Sequence, residues 1–240
     1  MPTYDWTRKL LKAWRLKRTR RKQRFSTDSL VPQLSIKRLE ERLVLNADAA
    51  PVEVLVVNAG DAGGDGQADI YQVQQEADYI QVSVNGQELH RAPVGSLSAI
   101  HINGSADNDV LVADLLAGVD LVFDGGGGED SLSIHGGEYD QVTYEFGDGS
   151  AGQVEAQSAT GIAKIDFQGV EKVADSLAAA DREFSFQGAE RHLILGNPAN
   201  AQDSSRLTIA AGNTNTENDI SVDFLNPTES LTVDTTHGDA

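Results

Sequence analysis

The sequence predicts an all-β fold, a β-solenoid or parallel β-helix-like body with hairpin insertions, and three observations carry that expectation. Short apolar or alternating runs recur about every ten residues, each closed by Gly, Asn or Asp, which is strand-and-turn chemistry and not helical periodicity. The 240 residues include 23 glycines but only seven Phe, five Tyr and two Trp, a composition that suits turn-rich β structure better than a large helical core. Weak internal echoes add the third: FQGVEK at 167–172 with FQGAER at 186–191, and SLSAIHINGSADND at 96–109 with SLTVDTTHGDA at 230–240. Repeats of this size point to stacked passes of a coil, each burying its face on its neighbour.

The elements follow in order. VEVLVV (52–57) is a short buried-strand candidate, followed by the glycine-rich stretch 60–69. DYIQVSV (78–84) places Ile80, Val82 and Val84 on one face. Asn85-Gly86 then supplies the left-handed dihedrals of a type I′ turn, and QELHR returns as the second arm of a hairpin. LSAIHI (97–102), DVLVAD (109–114), DLVFD (120–124), DSLSI (130–134) and QVTYEF (141–146) read as further strands. VADSLAAADREF (173–184) is the strongest helical candidate in the body, and it is short. The last echo stops without a terminal cap, so the chain is expected to be a short relative, or a truncated piece, of a longer array.

Charge divides the chain. Residues 1–47 carry 13 of the 19 Lys and Arg but four of the 37 Asp and Glu, leaving six basic against 33 acidic residues from Asp48 onward. The expected division is therefore a basic leader, 1–47, and an acidic Gly/Asp-rich β-repeat domain, 48–240. Such a body repels nucleic acid and anionic lipid and attracts divalent cations, so no nucleic-acid partner is expected. Cysteine is absent, which removes disulfides and thiolate metal sites. No apolar run of about 18 residues exists for a membrane-spanning helix, and the start lacks the apolar stretch of an ordinary secretory signal.

In the leader, Trp6, Leu10, Leu11 and Trp14 fall at helical spacing among Arg8, Lys9, Lys12, Arg15 and Lys17. The segment reads as a basic amphipathic helix or as a disordered charged leader. An anionic membrane surface, nucleic acid or a targeting role are its competing uses. Beyond it, Leu39-Glu40-Glu41-Arg42-Leu43-Val44-Leu45 resembles the LEPR-XLL motif, with Glu41 where that motif has proline. The motif marks the N-terminal region of large surface or extracellular proteins of planctomycete-type bacteria. There, a basic leader precedes it, a small residue such as Ala47 closes it, and repetitive β domains follow. The resemblance implies a secreted or cell-surface protein.

The run DGGGGEDSLSI (124–134) is the chain's candidate site. A nucleotide cradle is excluded: Asp130 stands where a dinucleotide fingerprint needs its third Gly, Glu129 stands where a P-loop needs Lys, and the flanking acids repel phosphate. Gly125 through Ser133 fits G-G-x-G-x-D-x-U-x at every fixed position and resembles the calcium-binding nonapeptide of RTX-type (hemolysin-type) β-rolls. Glycines at positive φ turn carbonyl oxygens inward and the aspartate adds a hard anionic ligand, as calcium requires. A degraded copy, Gly104 to Val112, keeps the first Gly, the Asp and the Leu and adds Asp107. The candidate metal ligands are Gly125, Gly127, Glu129, Asp130, Asp107 and Asp109, with Ca²⁺ as the cofactor. In the resembling repeats one ion is shared by turns about eighteen residues apart. Here Asp109 and Asp130 are 21 apart, which implies a bulged pass or no shared site.

Catalytic signatures are missing. His90, His101, His135, His192 and His237 are scattered, without HExxH or HxH spacing, and GSLSA (95–99) does not match a nucleophile elbow. The expected function is a non-catalytic structural or adhesion-type β-repeat protein, weakly calcium-binding, whose partners are cell-envelope components or glycans. The alternatives are a carbohydrate- or surface-binding module of a larger protein and, behind it, a polysaccharide-active β-helix enzyme.

Overall fold

Contacts divide the computed structural model into two units, Met1–Asp48 and Ala49–Ala240. The described residues are 53–59, 67–147, 150–187, 191–198, 203–211 and 219–235. The leader, its LEPR-XLL-like motif, most of the glycine-rich stretch 60–69 and the chain's last five residues with His237 lie outside them.

All regular structure among the described residues is strand. In chain order the elements are β1 (Glu53–Asn58), β2 (Ile70–Glu76), β3 (Tyr79–Val84), β4 (Gln87–Pro93), β5 (Leu97–Asn103) and β6 (Val110–Asp114). Then come β7 (Asp120–Asp124), β8 (Ser131–His135), β9 (Glu138–Phe146), β10 (Gly152–Ser158), β11 (Gly161–Gln168) and β12 (Lys172–Asp175). The series closes with β13 (Ala178–Phe186), β14 (Arg191–Gly196), β15 (Ser204–Ala211), β16 (Ile220–Leu225) and β17 (Ser230–Asp234). They form two large sheets, ordered β1-β5-β7-β11-β10-β9-β13-β17 and β14-β15-β16-β12-β8-β6-β2-β3-β4.

The chain alternates between the sheets. Strands that return to the same sheet pair in parallel: β1 with β5, β5 with β7 and β7 with β11 in one, β2 with β6, β6 with β8, β8 with β12 and β12 with β16 in the other. Three excursions stay within one sheet as antiparallel triplets: β2-β3-β4, β9-β10-β11 and β14-β15-β16. The first contains the expected hairpin, with Asn85 at φ 51° and Gly86 at φ 76°, the double left-handed pair that a type I′ turn demands.

Alternation along each strand sends every second side chain inward, and parallel register aligns these into rows. One row runs Val57, Ile102, Phe123, Phe167, Gly152, Phe146 and Phe186 across the first sheet. The opposite sheet answers with Tyr71, Leu111, Leu132, Val173, Val222 and Leu207. All of the large side chains in these rows are buried, each contributing about 1.5–3 kcal/mol by leaving water. Gly152 has a steric reason to be bare: a Cβ there would stand 2.6 Å from the Phe167 ring. Its absence lets Phe146 and Phe167 meet edge-on at 6.3 Å, while Phe146 stacks on Phe186 at 5.4 Å and Tyr144 on Phe184 at 4.9 Å.

The helix expected over 173–184 is not formed; the segment is β12, a corner and β13. The period-two pattern is hidden because two of its inward positions are charged. Asp175 occupies the inward row between Ile134 and Phe224, and Arg182 occupies the row between Val142 and Leu231. Both side chains are fully buried, and the Arg182 guanidinium donates to Asp175 Oδ2. Tyr144 Oη donates to the same oxygen at 2.5 Å, the Leu177 N–H donates to Oδ1 at 2.7 Å, and Arg182 Nη2 donates to the Leu177 carbonyl at 3.0 Å. This cluster joins the two sheets and fixes the corner. Burial, reinforced by the Asp175 charge, pushes the Tyr144 phenol well above its usual range.

Candidate functional site

The glycine run and its degraded copy lie on the same corner of successive passes. Ile100 pairs with Leu121 in one sheet and Leu111 with Leu132 in the other, so both sheets advance by the 21 residues that separate Asp109 from Asp130. The spacing is therefore the period of these two passes, with no bulge, and it puts the two aspartates directly above one another.

They form part of a ladder of acids, each immediately preceding a strand of the second sheet. The Asp69 N–H donates to Asp109 Oδ1 at 2.8 Å, the Asp109 N–H to Asp130 Oδ1 at 2.7 Å, and the Asp130 N–H to Glu171 Oε2 at 2.8 Å. Asn85, from the hairpin turn, closes the first rung by donating Nδ2 to Asp69 Oδ1 at 2.6 Å. Asp69, Asp109 and Asp130 are buried. Buried main-chain N–H groups at a corner need acceptors, and here side chains of the neighbouring pass supply them.

Glycines make room for the ladder. Gly104, Gly125 and Gly169 stack at the start of the corner, with the Gly104 N–H donating to the Asp124 carbonyl at 2.7 Å and the Gly125 N–H to the Gln168 carbonyl at 2.9 Å. A Cβ on Gly125 would stand 2.2 Å from the Gly169 carbonyl oxygen and 2.5 Å from Asp130 Oδ2. Positive φ falls on Gly126 (94°) and Gly128 (114°), and a Cβ on Gly126 would strike the Ser105 carbonyl oxygen at 2.0 Å. Gly127, by contrast, has only Ala106 Cα within contact, at 3.8 Å.

The six ligand candidates have different surroundings. Both Asp109 oxygens are engaged, Oδ2 accepting the Ser105 N–H at 2.5 Å. Asp130 accepts through Oδ1 alone, and its buried Oδ2 has no hydrogen-bond partner. Burial, only partly offset by the Asp109 N–H and aided by the nearby charges of Asp109, Glu171 and Asp124, pushes the Asp130 carboxyl up to about 6. Glu129 reaches outward to Lys172 at 3.0 Å. Asp107 sits in the turn of the earlier pass, where its N–H donates to Ser105 Oγ at 3.0 Å and its carbonyl oxygen lies against Gly128. Gly125 and Gly127 contribute main chain only. Among the described residues no group of three or more His, Cys, Asp and Glu side chains gathers as metal ligands do. Asp130 Oδ2 and the Gly169 carbonyl oxygen both border the space that a Cβ on Gly125 would fill.

Sequence spacing missed Glu171 and Asp69 as members of the ladder, because intervening strand triplets place them 41 and 40 residues from their partners. It also missed two surface features. His135 lies between Ser133 Oγ (2.9 Å) and Ser176 Oγ (3.2 Å). A cleft of about 430 Å³ is rimmed by Asn103, Asp124, Gln153, Asp166, Gln168 and Gln187. Comparison with protein-family models, curated proteins and solved structures finds no match to this chain.

Proposed function

We propose that the chain is a non-catalytic structural or adhesion protein of the cell surface or extracellular space, whose body is a β-solenoid. The observation that carries this reading is the shared register. Between the two passes that carry Asp109 and Asp130, both sheets and the corner acids advance by the same 21 residues, as stacked coils do. The chemistry of the most distinctive residues supports it too, since the carboxylates of Asp109, Asp130 and Glu171 are spent on main-chain N–H groups of the neighbouring pass. Export rests on the likeness of residues 36–47 to a surface-protein motif, and the acidity of the body suits an extracellular, calcium-containing medium.

Weak calcium binding at the Asp130 corner belongs to the proposal. Asp130 Oδ2 and the Gly169 carbonyl supply its first oxygens, and an affinity of roughly 10⁻⁴–10⁻³ M is expected for a site of this kind. Two measurements test the proposal. Protease shaving and fractionation of cells expressing the full chain should find it outside the membrane, and a cytosolic chain refutes the export reading. Thermal melts should rise between EDTA and millimolar Ca²⁺, and identical melts refute the ion.

The rim of the 430 Å³ cleft favours a second reading, a glycan-binding module, because amide and carboxylate side chains suit sugar hydroxyls. Binding on a glycan array that Gln153→Ala abolishes would support it over the purely structural role.

A further inference from the structure

We propose that Ser133 is a nucleophile whose hydroxyl, activated by the His135 imidazole, accepts one acyl group from an activated ester. The outer face of β8 is then a site of covalent modification. β8 lies in the interior of its sheet, between β6 and β12. Its burial alternates, with Leu132 and Ile134 inward and Ser131, Ser133 and His135 outward. On that outer face Ser133 Oγ stands 2.9 Å from His135 Nε2. The other ring nitrogen, Nδ1, lies 3.2 Å from Ser176 Oγ, on the corner that follows β12.

The hydrogen-bond chain fixes which nitrogen carries the proton. Ser176 Oγ donates its single hydrogen to the Ile134 carbonyl at 3.0 Å, and a carbonyl oxygen can only accept. Ser176 therefore offers only lone pairs to the ring, so Nδ1 is the N–H that donates to it. A neutral imidazole has one N–H. Nε2 is thus bare, and the Ser133 hydroxyl donates to it. This is the polarity a general base needs, with a bare nitrogen on the nucleophile's proton and a bond behind the ring that holds it in place.

The surroundings suit an acyl acceptor. Val112 and Ala174, both small, flank Ser133 in register on the neighbouring strands, so Oγ is approachable from above the sheet. Asp114 stands in register beside His135, on a strand about 4.7–4.9 Å away. Its carboxylate, which accepts the Gln75 N–H at 3.0 Å, favours the imidazolium that forms when the ring takes a proton. As Oγ bonds to the acyl carbon, its proton passes to Nε2. The bond from that carbon to the leaving oxygen or sulfur breaks, and the imidazolium protonates the departing group. The main-chain N–H groups of β8 are engaged in the ladders with β6 and β12, so they offer no pair of donors to an oxyanion. That restricts the reaction to donors with a good leaving group, aryl esters and thioesters, and to a single acylation per chain. One equivalent taken up is modification and not turnover, and it stands alongside the structural role proposed above.

The test is to incubate the full chain with p-nitrophenyl acetate at neutral pH and to locate acetyl groups by mass spectrometry of its peptides. Ser133 should take up one acetyl group. Ser131, two residues earlier on the same face and without an imidazole contact among the described residues, should stay unmodified. His135→Gln should slow labelling of Ser133 about 100-fold, and Ser133→Ala should abolish it. Nitrogen NMR of His135 gives a readout independent of reactivity: the wild type should show the Nδ1–H tautomer, and Ser176→Ala should lose it. Equal labelling of Ser131 and Ser133, a rate that His135→Gln leaves unchanged, or an Nε2–H tautomer in the wild type would each overturn the proposal. If Ser176→Ala does not fold, the wild-type tautomer and the comparison of the two serines decide.

Discussion

Replacing Asp109 by alanine tests whether the corner acids serve the main chain. The substitution leaves two N–H groups without acceptors, that of Asp69 at 2.8 Å in a buried setting and that of Ser105 at 2.5 Å in a partly buried one. Each orphaned donor costs about 1–3 kcal/mol, so the pair comes to roughly 2–6 kcal/mol. A domain of this size loses about 2–4 °C of Tm per kcal/mol, which predicts a fall of roughly 4–24 °C in calorimetry or circular dichroism. Measurements in EDTA keep any metal contribution out of the comparison. The control is Asp107→Ala in the same turn, two residues away and without a rung in the ladder, which should stay within about 0.5 kcal/mol, as surface changes do. If Asp109→Ala melts with the wild type, or if Asp107→Ala is the more damaging of the two, the ladder does not hold the corners together.

Three further outcomes are expected. Asp130 is held above its unfolded pKa, so between about pH 4 and 6 the folded state keeps a proton that the unfolded chain releases. Its contribution to stability therefore grows as pH falls through 6 and is lost above it; Asp130→Asn should remove this component from the melt-versus-pH profile and raise Tm at pH 7, and an unchanged profile refutes it. Gly126→Ala, which combines φ 94° with a 2.0 Å approach to the Ser105 carbonyl oxygen, should destabilise strongly, whereas Gly127→Ala should be nearly neutral; equal denaturant midpoints would show that the turn is not built as described. Arg182→Met strands the buried Asp175 carboxylate and should cost about 3–5 kcal/mol, while Asp175→Leu with Arg182→Met should recover much of that loss; a double variant weaker than the single one by urea titration contradicts the pairing.

Most of the strands were legible because their inward positions are apolar. Ile80, Val82 and Val84 announce β3 by alternation alone, and Asn85-Gly86 fixes the turn after it by backbone stereochemistry. The segment 173–184 was illegible for the opposite reason. Asp175 and Arg182 occupy inward positions that become tolerable only once each meets the other across the two sheets, a contact that no local window contains. The corner was half legible. Its glycine pattern located the turn, but the period was sought at eighteen residues and the ladder runs at 21 before strand triplets stretch it to 40 and 41. The partners that use Asp109 and Asp130 are main-chain amides, which carry no residue identity for a motif to record.

The antiparallel triplets bear on how this chain can change length. Each consists of three consecutive strands in one sheet, so the chain leaves on the same heading it arrived with and the next crossing proceeds undisturbed. An odd number of strands is transparent to the path; an even number would send the chain out on the wrong side. Foreign sequence should therefore be accepted at the β3–β4 or β9–β10 connections when it arrives as a whole hairpin, and rejected there as a single strand. The fold can enlarge its outer surface in steps of two strands while its acid-lined corner stays in phase.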